Sequence, residues 1–348
     1  MITKKNMHVL YAVCVITFFM VSCKKAPAEK DYLSDKATFA SVAIYEPVLG
    51  RTVLYKTSFN ADGSSYPLNF SLQNIRHFDG SPAPELSQSF PTLEWTGLYS
   101  GTEKTLKEIE DKRKLVNKPF LEIRPGSGDF IFYKSNAQVI NAYPNDGYLF
   151  DVKVTNSGNE RVMKNFRLRP VQEIPYEPYE FDKYTRRRLT ESRISENGLP
   201  YTAAFFNHPV MTNVYITKDT LMNDSLARVY FKRVGEGNSL SFKFFDKDSV
   251  GIDPAKFNLT KWTELVHGFN MTKTSSEVRY DVAYPIPLTD LDTKYAKGNK
   301  AFVNIGFSRT GFNNTRIDAN MLLNFGIYEK GDWVIIFKFL RTPRFQND

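Results

Sequence analysis

The feature that most constrains this chain is a period-two alternation of apolar and polar residues, which recurs in short stretches along most of its length. One clear stretch has its apolar positions at Tyr148, Phe150, Val152 and Val154. Such alternation marks strands with one face in a core, because successive side chains of a strand point to opposite sides. The chain also has 28 Phe and 19 Tyr residues, which favour β-structure. We therefore predict an all-β fold of antiparallel sandwiches.

The C-terminal residues show the same alternation twice, on either side of the turn sequence Glu329-Lys330-Gly331-Asp332. The apolar positions are Met321, Leu323, Phe325 and Ile327 before the turn, and Trp333, Ile335, Phe337 and Phe339 after it. The pattern predicts two strands that pair with each other as a hairpin.

One helix is predicted between the strands, from Glu103 to Val116. Leu106, Ile109, Arg113 and Val116 share one helical face there. The other positions are mostly Lys and Glu, so we expect a surface helix.

The N-terminus has the layout of a secretory signal peptide, with Lys4 and Lys5 ahead of an apolar run from Val9 to Val21. The run is about 13 residues long, whereas a membrane-spanning helix needs roughly 20. Ser22-Cys23 ends it in the manner of a bacterial lipobox. We predict cleavage after residue 22 and lipidation of Cys23, which would anchor the chain to a lipid bilayer. An ordinary cleaved signal with a chance cysteine is the alternative.

The chain divides on this basis into five segments. Residues 1–22 are the signal peptide and 23–37 are a lipidated tether. Residues 38–174 form a first β-sandwich domain, immunoglobulin-like with one surface helix. Residues 175–182 are a linker rich in Pro and Tyr, and 183–348 form a second β-sandwich domain.

Catalytic motifs are absent from the sequence. Beyond the signal peptide the only histidines are His77, His208 and His267, and none lies in a metal-binding or nucleophile motif. We predict no enzymatic activity, no cofactor and no metal. Glu94 beside Trp95 and Glu264 near Trp262 leave a glycoside hydrolase open as an alternative, since such enzymes use paired carboxylates.

Aromatic residues outside clean alternation are candidates for ligand binding. Trp95, Tyr99 and Trp262 fit this description, and a flat ring can stack on the apolar face of a sugar. The alternative for each ring is a place in the core or at the joint between domains.

The net charge of +8 allows several anionic partners. Export argues against nucleic acid, which leaves an acidic polysaccharide or an anionic membrane surface. The densest basic run is Arg186-Arg187-Arg188. A solvated surface of mixed charge is the simpler interpretation.

Four features together resemble an uncharacterised Bacteroidetes lipoprotein family, a domain of unknown function of about this length. They are the lipobox ending at Cys23, Leu49-Gly-Arg-Thr-Val53, Pro175-Tyr-Glu-Pro178 and the aromatic all-β C-terminus. The resemblance implies an accessory surface lipoprotein of a starch-utilisation-type glycan uptake system. Its partners would be a polysaccharide, a TonB-dependent transporter and a glycan-binding lipoprotein. Lys24 and Lys25 stand where surface-exposed lipoproteins of this phylum often carry acidic residues.

We therefore expect a non-catalytic outer-membrane lipoprotein that binds glycan at the cell surface. A hydrolase on a β-scaffold and a structural or adhesion protein of the envelope remain the alternatives.

Replacing Cys23 by Ser should release the protein from the envelope, because the acylated thiol is the predicted anchor. Palmitate labelling and co-sedimentation with membranes measure this, with Cys14→Ser as the matched control. Envelope association that survives in Cys23→Ser would contradict the anchor.

Overall fold

The computed structural model of the protein describes residues 31–40, 43–56, 59–195, 197–217, 220–311 and 314–345. Cys23 and the signal peptide lie outside these residues. Nearly all regular structure in the described part is β, and all but one of its strand pairs are antiparallel. The predicted all-β class is confirmed. Among the described residues, no helix has the length and apolar content that crossing a membrane requires.

The N-terminal half contains two three-stranded sheets, in the orders β10-β9-β4 and β2-β8-β7, and two pairs, β1-β3 and β5-β6. The strands are β1 (Thr38–Phe39), β2 (Val53–Tyr55), β3 (Phe59–Asn60), β4 (Asn69–His77), β5 (Ser89–Trp95), β6 (Arg113–Pro119), β7 (Leu121–Ile123), β8 (Phe130–Phe132), β9 (Tyr148–Thr155) and β10 (Glu160–Leu168). The four apolar positions that the alternation of β9 predicted are buried, and Asp151 between them is buried as well.

The C-terminal half contains two larger sheets that face each other. One has the order β11-β21-β20-β19 with β14 also paired to β21, and the other has the order β15-β22-β16-β18-β17; β12 and β13 form a separate pair. The strands are β11 (Tyr176–Glu177), β12 (Thr190–Ile194), β13 (Pro200–Ala204), β14 (Val210–Thr212), β15 (Ala227–Gly235), β16 (Ser239–Phe245), β17 (Gly268–Lys273), β18 (Val278–Val282), β19 (Ala296–Lys297), β20 (Lys300–Thr310), β21 (Arg316–Ile327) and β22 (Asp332–Phe339).

The predicted C-terminal hairpin is wrong, although both of its strands exist. β21 pairs with β20, β11 and β14, whereas β22 pairs with β15 and, in parallel, with β16. The turn at 328–331 therefore carries the chain from one sheet to the other. Phe231 of β15 and Phe325 of β21 meet across the core, with ring centroids 6.2 Å apart.

The predicted helix is also shorter than expected. Helix α1 spans Leu106–Glu110 and begins after Thr105, whose hydroxyl accepts the N–H of Glu108. Residues 113–116 belong to β6, which pairs with β5 over its whole length. Backbone pairing with β5 thus replaces the last turns of the helix.

Two main hydrophobic clusters fill the two halves, one formed by residues between Leu33 and Leu168 and the other between Val214 and Phe345. The predicted linker at 175–182 falls between them. Part of this linker is strand β11, so it is held against the second cluster. Whether each half folds independently stays a prediction.

The predicted tether is partly packed. Leu33 and Ala37 are buried, and the N–H of Ser34 donates to the Ser64 hydroxyl at 3.0 Å, so the described part of this segment contacts the N-terminal half.

Replacing Leu323 by Ala should lower the free energy of unfolding by about 2–5 kcal/mol, because its side chain is buried between the two large sheets. The adjacent Leu322 is 38% exposed on the other face of β21, and the same substitution there should cost below about 1 kcal/mol. Urea unfolding measures both. Equal losses would contradict the orientation of β21.

Candidate functional site

The three aromatic candidates do not form one exposed platform. Trp262 is buried in the C-terminal core, where its ring meets Phe244 edge-on at 6.1 Å. Tyr99 is also buried, and Trp95 is half-buried beside it at 5.5 Å. The structure brings Trp95 and Tyr99 together and leaves Trp262 in a different cluster.

Tyr99 belongs to a small cluster where the β5–β6 ribbon and α1 pack on the C-terminal half. Its hydroxyl lies 2.6 Å from Nδ1 of His267, and Nε2 of the same ring lies 2.8 Å from the carbonyl oxygen of Glu103. A carbonyl only accepts, so Nε2 donates to Glu103, and Nδ1 pairs with the Tyr99 hydroxyl. Both nitrogens are engaged, which favours a structural role for His267.

Glu103 is a buried carboxylate in this cluster. Burial alone would raise its pKa, but hydrogen bonds from Lys112 and from the N–H of Ser100 outweigh burial and lower the pKa to about 2. The carboxylate of Glu103 is therefore ionised at neutral pH. Its contact with Lys112 holds the β5–β6 ribbon in place.

The other carboxylates named from the sequence lie in ion pairs, which are half-buried for Glu94 and exposed for Glu264. Glu94 is 3.5 Å from Lys118, and Glu264 is 3.6 Å from Lys294. Among the described residues, no group of three or more His, Cys, Asp and Glu side chains is placed to hold a metal ion.

A larger site lies where the linker crosses the sheet of β11, β20 and β21. This junction groove encloses about 610 Å³ and is lined by Ile174, Glu177, Pro178, Tyr179, Phe181, Asp182, Lys183, Leu189, Lys300 and Asn324. Its volume is within the range of about 300–1,000 Å³ that small-molecule sites occupy. Apolar rings and groups of both charge signs therefore meet in one concave surface.

A tight turn at 182–187 shapes one wall of the groove. The carboxylate of Asp182 accepts the N–H groups of Tyr184 and Thr185, at 3.0 and 2.7 Å. Arg186 has a positive φ of 58°, and its guanidinium donates a hydrogen bond to the carbonyl oxygen of Glu173 at 2.9 Å. An Asp at the start of such a turn is favoured because its side chain satisfies the free N–H groups. Lys183 is thereby held at the groove.

Glu177 forms the opposite wall, where it is shared by two cations. Arg51 contacts it at 2.7 Å, and Lys300 contacts its other oxygen. The Arg51 guanidinium also lies 4.1 Å from the ring centre of Tyr328.

The backbone just before Arg51 requires a glycine. Gly50 has a φ of +83°, and a Cβ at this position would lie only 3.2 Å from the side chain of Glu173.

Glu46 anchors Lys183 from the N-terminal half. It accepts hydrogen bonds from Arg169 at 2.7 Å and from the Tyr184 hydroxyl, and Lys183 lies 3.5 Å away. Burial works to raise the pKa of Glu46, but these partners outweigh it and lower the pKa. The groove therefore rests on contacts between both halves of the chain.

Comparison with known families adds one finding. The profile of a domain of unknown function, DUF5007, matches residues 59–347. The chain belongs to the DUF5007 family. No curated protein and no solved structure matches it.

In this DUF5007 chain, two of the segments that carried the sequence resemblance meet in space. Arg51 comes from Leu49-Gly-Arg-Thr-Val53 and Glu177 from Pro175-Tyr-Glu-Pro178, and the two side chains form an ion pair. Neither Arg51 nor Glu177 is a candidate on sequence grounds. The same holds for Tyr179, Phe181 and Lys300. The sequence feature that lies nearest to the groove is the cluster of Tyr, Pro and Glu residues in the predicted linker.

The basic run at 186–188 is less free than its composition suggests. Arg186 donates to the carbonyl oxygen of Glu173, just ahead of the linker. Arg188 donates to the carbonyl oxygen of Phe205 and lies 4.4 Å from the ring centre of Phe206. In this DUF5007 chain, the side chains of Arg186 and Arg188 therefore stabilise the turn at 182–187 and the segment that follows it.

Replacing Glu103 by Gln should lower the free energy of unfolding at pH 7 by roughly 3 kcal/mol, since its pKa falls from 4.5 to about 2 on folding. The contribution is present above pH 4.5 and is lost as the pH falls toward 2. Unfolding curves between pH 7 and pH 2 should therefore converge for wild type and variant. Glu264→Gln, in an exposed pair, is the matched control and should change little. Parallel curves would contradict the assignment.

Proposed function

We propose that this protein is a lipid-anchored envelope protein that binds a glycan in the junction groove without chemical change. The observation that carries the proposal is the convergence of aromatic, amide and charged side chains in one groove of about 610 Å³. Sugar rings have apolar C–H faces and polar hydroxyl edges, so they need this combination.

Tyr179 and Phe181 supply the apolar surface. Their ring centroids are 5.4 Å apart, and Tyr179 lies a further 5.4 Å from Tyr176, so neighbouring aromatic side chains hold it in place. Rigid aromatic side chains lose little conformational entropy when they bind a ligand. Asn324 at the groove offers both a donor and an acceptor to sugar hydroxyls.

The groove carboxylates support binding over hydrolysis. Glu177 is held by two cations, and hydrogen bonds from Thr185 lower the pKa of Asp182. A glycosidase acid needs a proton at working pH, which requires a raised pKa. Asp182 instead has a lowered pKa, and the contacts of both carboxylates maintain the shape of the groove.

The proposed location follows from the predicted lipidation of Cys23 at the outer membrane. At the cell surface, the protein would present the groove to a polysaccharide beside a TonB-dependent transporter and a glycan-binding lipoprotein. The sequence resemblance supports this part of the proposal.

An adhesion or assembly role is the second candidate. Leu93 and Leu115 lie opposite each other in the β5–β6 ribbon and are 52% and 67% exposed. These two side chains would form part of a contact with another protein if the apolar surface around them is contiguous.

Replacing Tyr179 by Ala should weaken glycan binding about tenfold, a loss of roughly 1.4 kcal/mol, because the groove loses a stacking surface. A glycan array finds the ligand, and isothermal titration calorimetry compares the variants. Tyr201→Ala is the matched control, since Tyr201 is 48% exposed on β13 and does not line the groove.

Binding that persists unchanged in Tyr179→Ala would place the site elsewhere. No binding to any glycan on the array would contradict the proposed function and favour the assembly role.

A further inference from the structure

The charged groups that line the junction groove balance each other. Among the described residues of the lining, two carboxylates and two ammonium groups occur, which belong to Glu177, Asp182, Lys183 and Lys300. Glu177 pairs with Lys300. Lys183 lies 3.5 Å from Glu46, and Asp182 accepts two backbone N–H groups at 3.0 and 2.7 Å. The lining therefore has no excess of either charge, and each of its charged groups already has a partner.

The pair formed by Glu177 and Lys300 lies across a glycine of β21. Glu177 is opposite Gly326 in the pairing of β11 with β21. Ala301 is opposite Phe325 in the pairing of β20 with β21, so Lys300 lies on the other side of Gly326 from Glu177. Because Gly326 has no side chain, the carboxylate and the ammonium group meet above its backbone. They present an acceptor and a donor side by side.

Asn324 adds an uncharged donor and acceptor next to this pair. It lies two residues before Gly326 on β21, so its side chain is on the same face of the sheet. The residue is exposed, lines the groove and makes no side-chain hydrogen bond within the part of the chain that the structure describes. Its amide group is therefore available to a ligand.

A charged ligand would meet a like charge in this lining. A carboxylate or sulfate would approach Glu177 and Asp182, whereas an ammonium group would approach Lys183 and Lys300. Either ligand would have to separate an existing pair to gain a partner, and breaking a partly buried ion pair is costly. Hydroxyl groups both donate and accept, so an uncharged sugar can bind the paired groups and Asn324 without separating them.

Building on the proposed function, we infer that the glycan bound in the junction groove is uncharged, with hydroxyl groups that bind Glu177, Lys300 and Asn324 while a ring face lies on Tyr179. All four side chains line the groove. The ligand class is thus a neutral polysaccharide, whose bound rings have no uronic acid, no sulfate and no free amine.

Ligands that share a backbone and differ in charge test this inference by isothermal titration calorimetry on the full-length protein in detergent micelles. The β-1,4-glucan set is cellotetraose, its uronic acid form and the glucosamine tetramer. The α-1,4-galactan set is galactotetraose, tetragalacturonate and the galactosamine tetramer. At a mildly acidic pH, where the amines are protonated, the neutral member of a set that binds should bind about tenfold tighter than either charged member. Its affinity should change less than about twofold as NaCl is raised, because salt screens only interactions between charges.

A variant that adds a charge to the groove tests the location of the bound glycan. Asn324→Asp is nearly isosteric and leaves the lining with more carboxylates than ammonium groups. The affinity for the cationic member relative to the neutral member should therefore rise about tenfold. Asn304→Asp is the matched control and should leave this ratio unchanged, because Asn304 is exposed on β20 and does not line the groove. Thermal unfolding confirms that both variants are folded.

A charged member that binds as tightly as the neutral member of its set, or more tightly, would overturn the inference and leave glycan binding in place. An unchanged ratio in Asn324→Asp would also overturn it. Should neither backbone bind, the tightest glycan on the array replaces them, and a charged glycan in that position would overturn the inference. No binding to any glycan would overturn both the inference and the proposed function.

Discussion

The carboxylate of Glu177 joins three separate parts of the chain. Its own backbone pairs with the edge of β21, Arg51 reaches it from the N-terminal half, and Lys300 reaches it from the start of β20. The side chains of Arg51 and Glu177 are about one-fifth exposed, so water only partly screens their attraction. Loss of Glu177 would leave Arg51 and Lys300 without their shared carboxylate, which is more costly than loss of a surface pair. The shape of the junction groove depends on this arrangement.

Much of the candidate site lies on connecting segments, because most side chains of the sheets pack in the cores; Lys300 and Asn324 are added from β20 and β21. Phe244 of β16 stacks on Phe337 of β22 at 5.3 Å, and such rings have no free face for a ligand. The linker and the turn at 182–187 bury fewer apolar groups, so they present Tyr179, Phe181 and Lys183 to the groove. Binding residues are commonly found on loops that a rigid scaffold positions.

Local sequence patterns predicted where the strands lie, but they predicted poorly which strands pair with each other. The alternation of β9 identified its buried face correctly, because period two is a property of the strand itself. The same alternation in β21 and β22 fits a hairpin and a crossing between sheets equally well, since both place the apolar side chains in one core. Residues 113–116 fit a helical face, yet the long pairing of β6 with β5 made them a strand. Leu115 is consequently 67% exposed opposite Leu93.

Sequence alone determined that this chain is an all-β protein, which residues of its clearest strands face a core, and which cysteine is the predicted lipid anchor. These depend on short-range properties, namely the two-residue repeat of a strand and the order of charge, apolar run and cysteine. Tertiary structure decided that Trp262 and Tyr99 are buried and that Arg51 meets Glu177 across more than a hundred residues of sequence. No local pattern encodes such a meeting, because it depends on how two sheets and a linker pack together. The junction groove is a product of that packing.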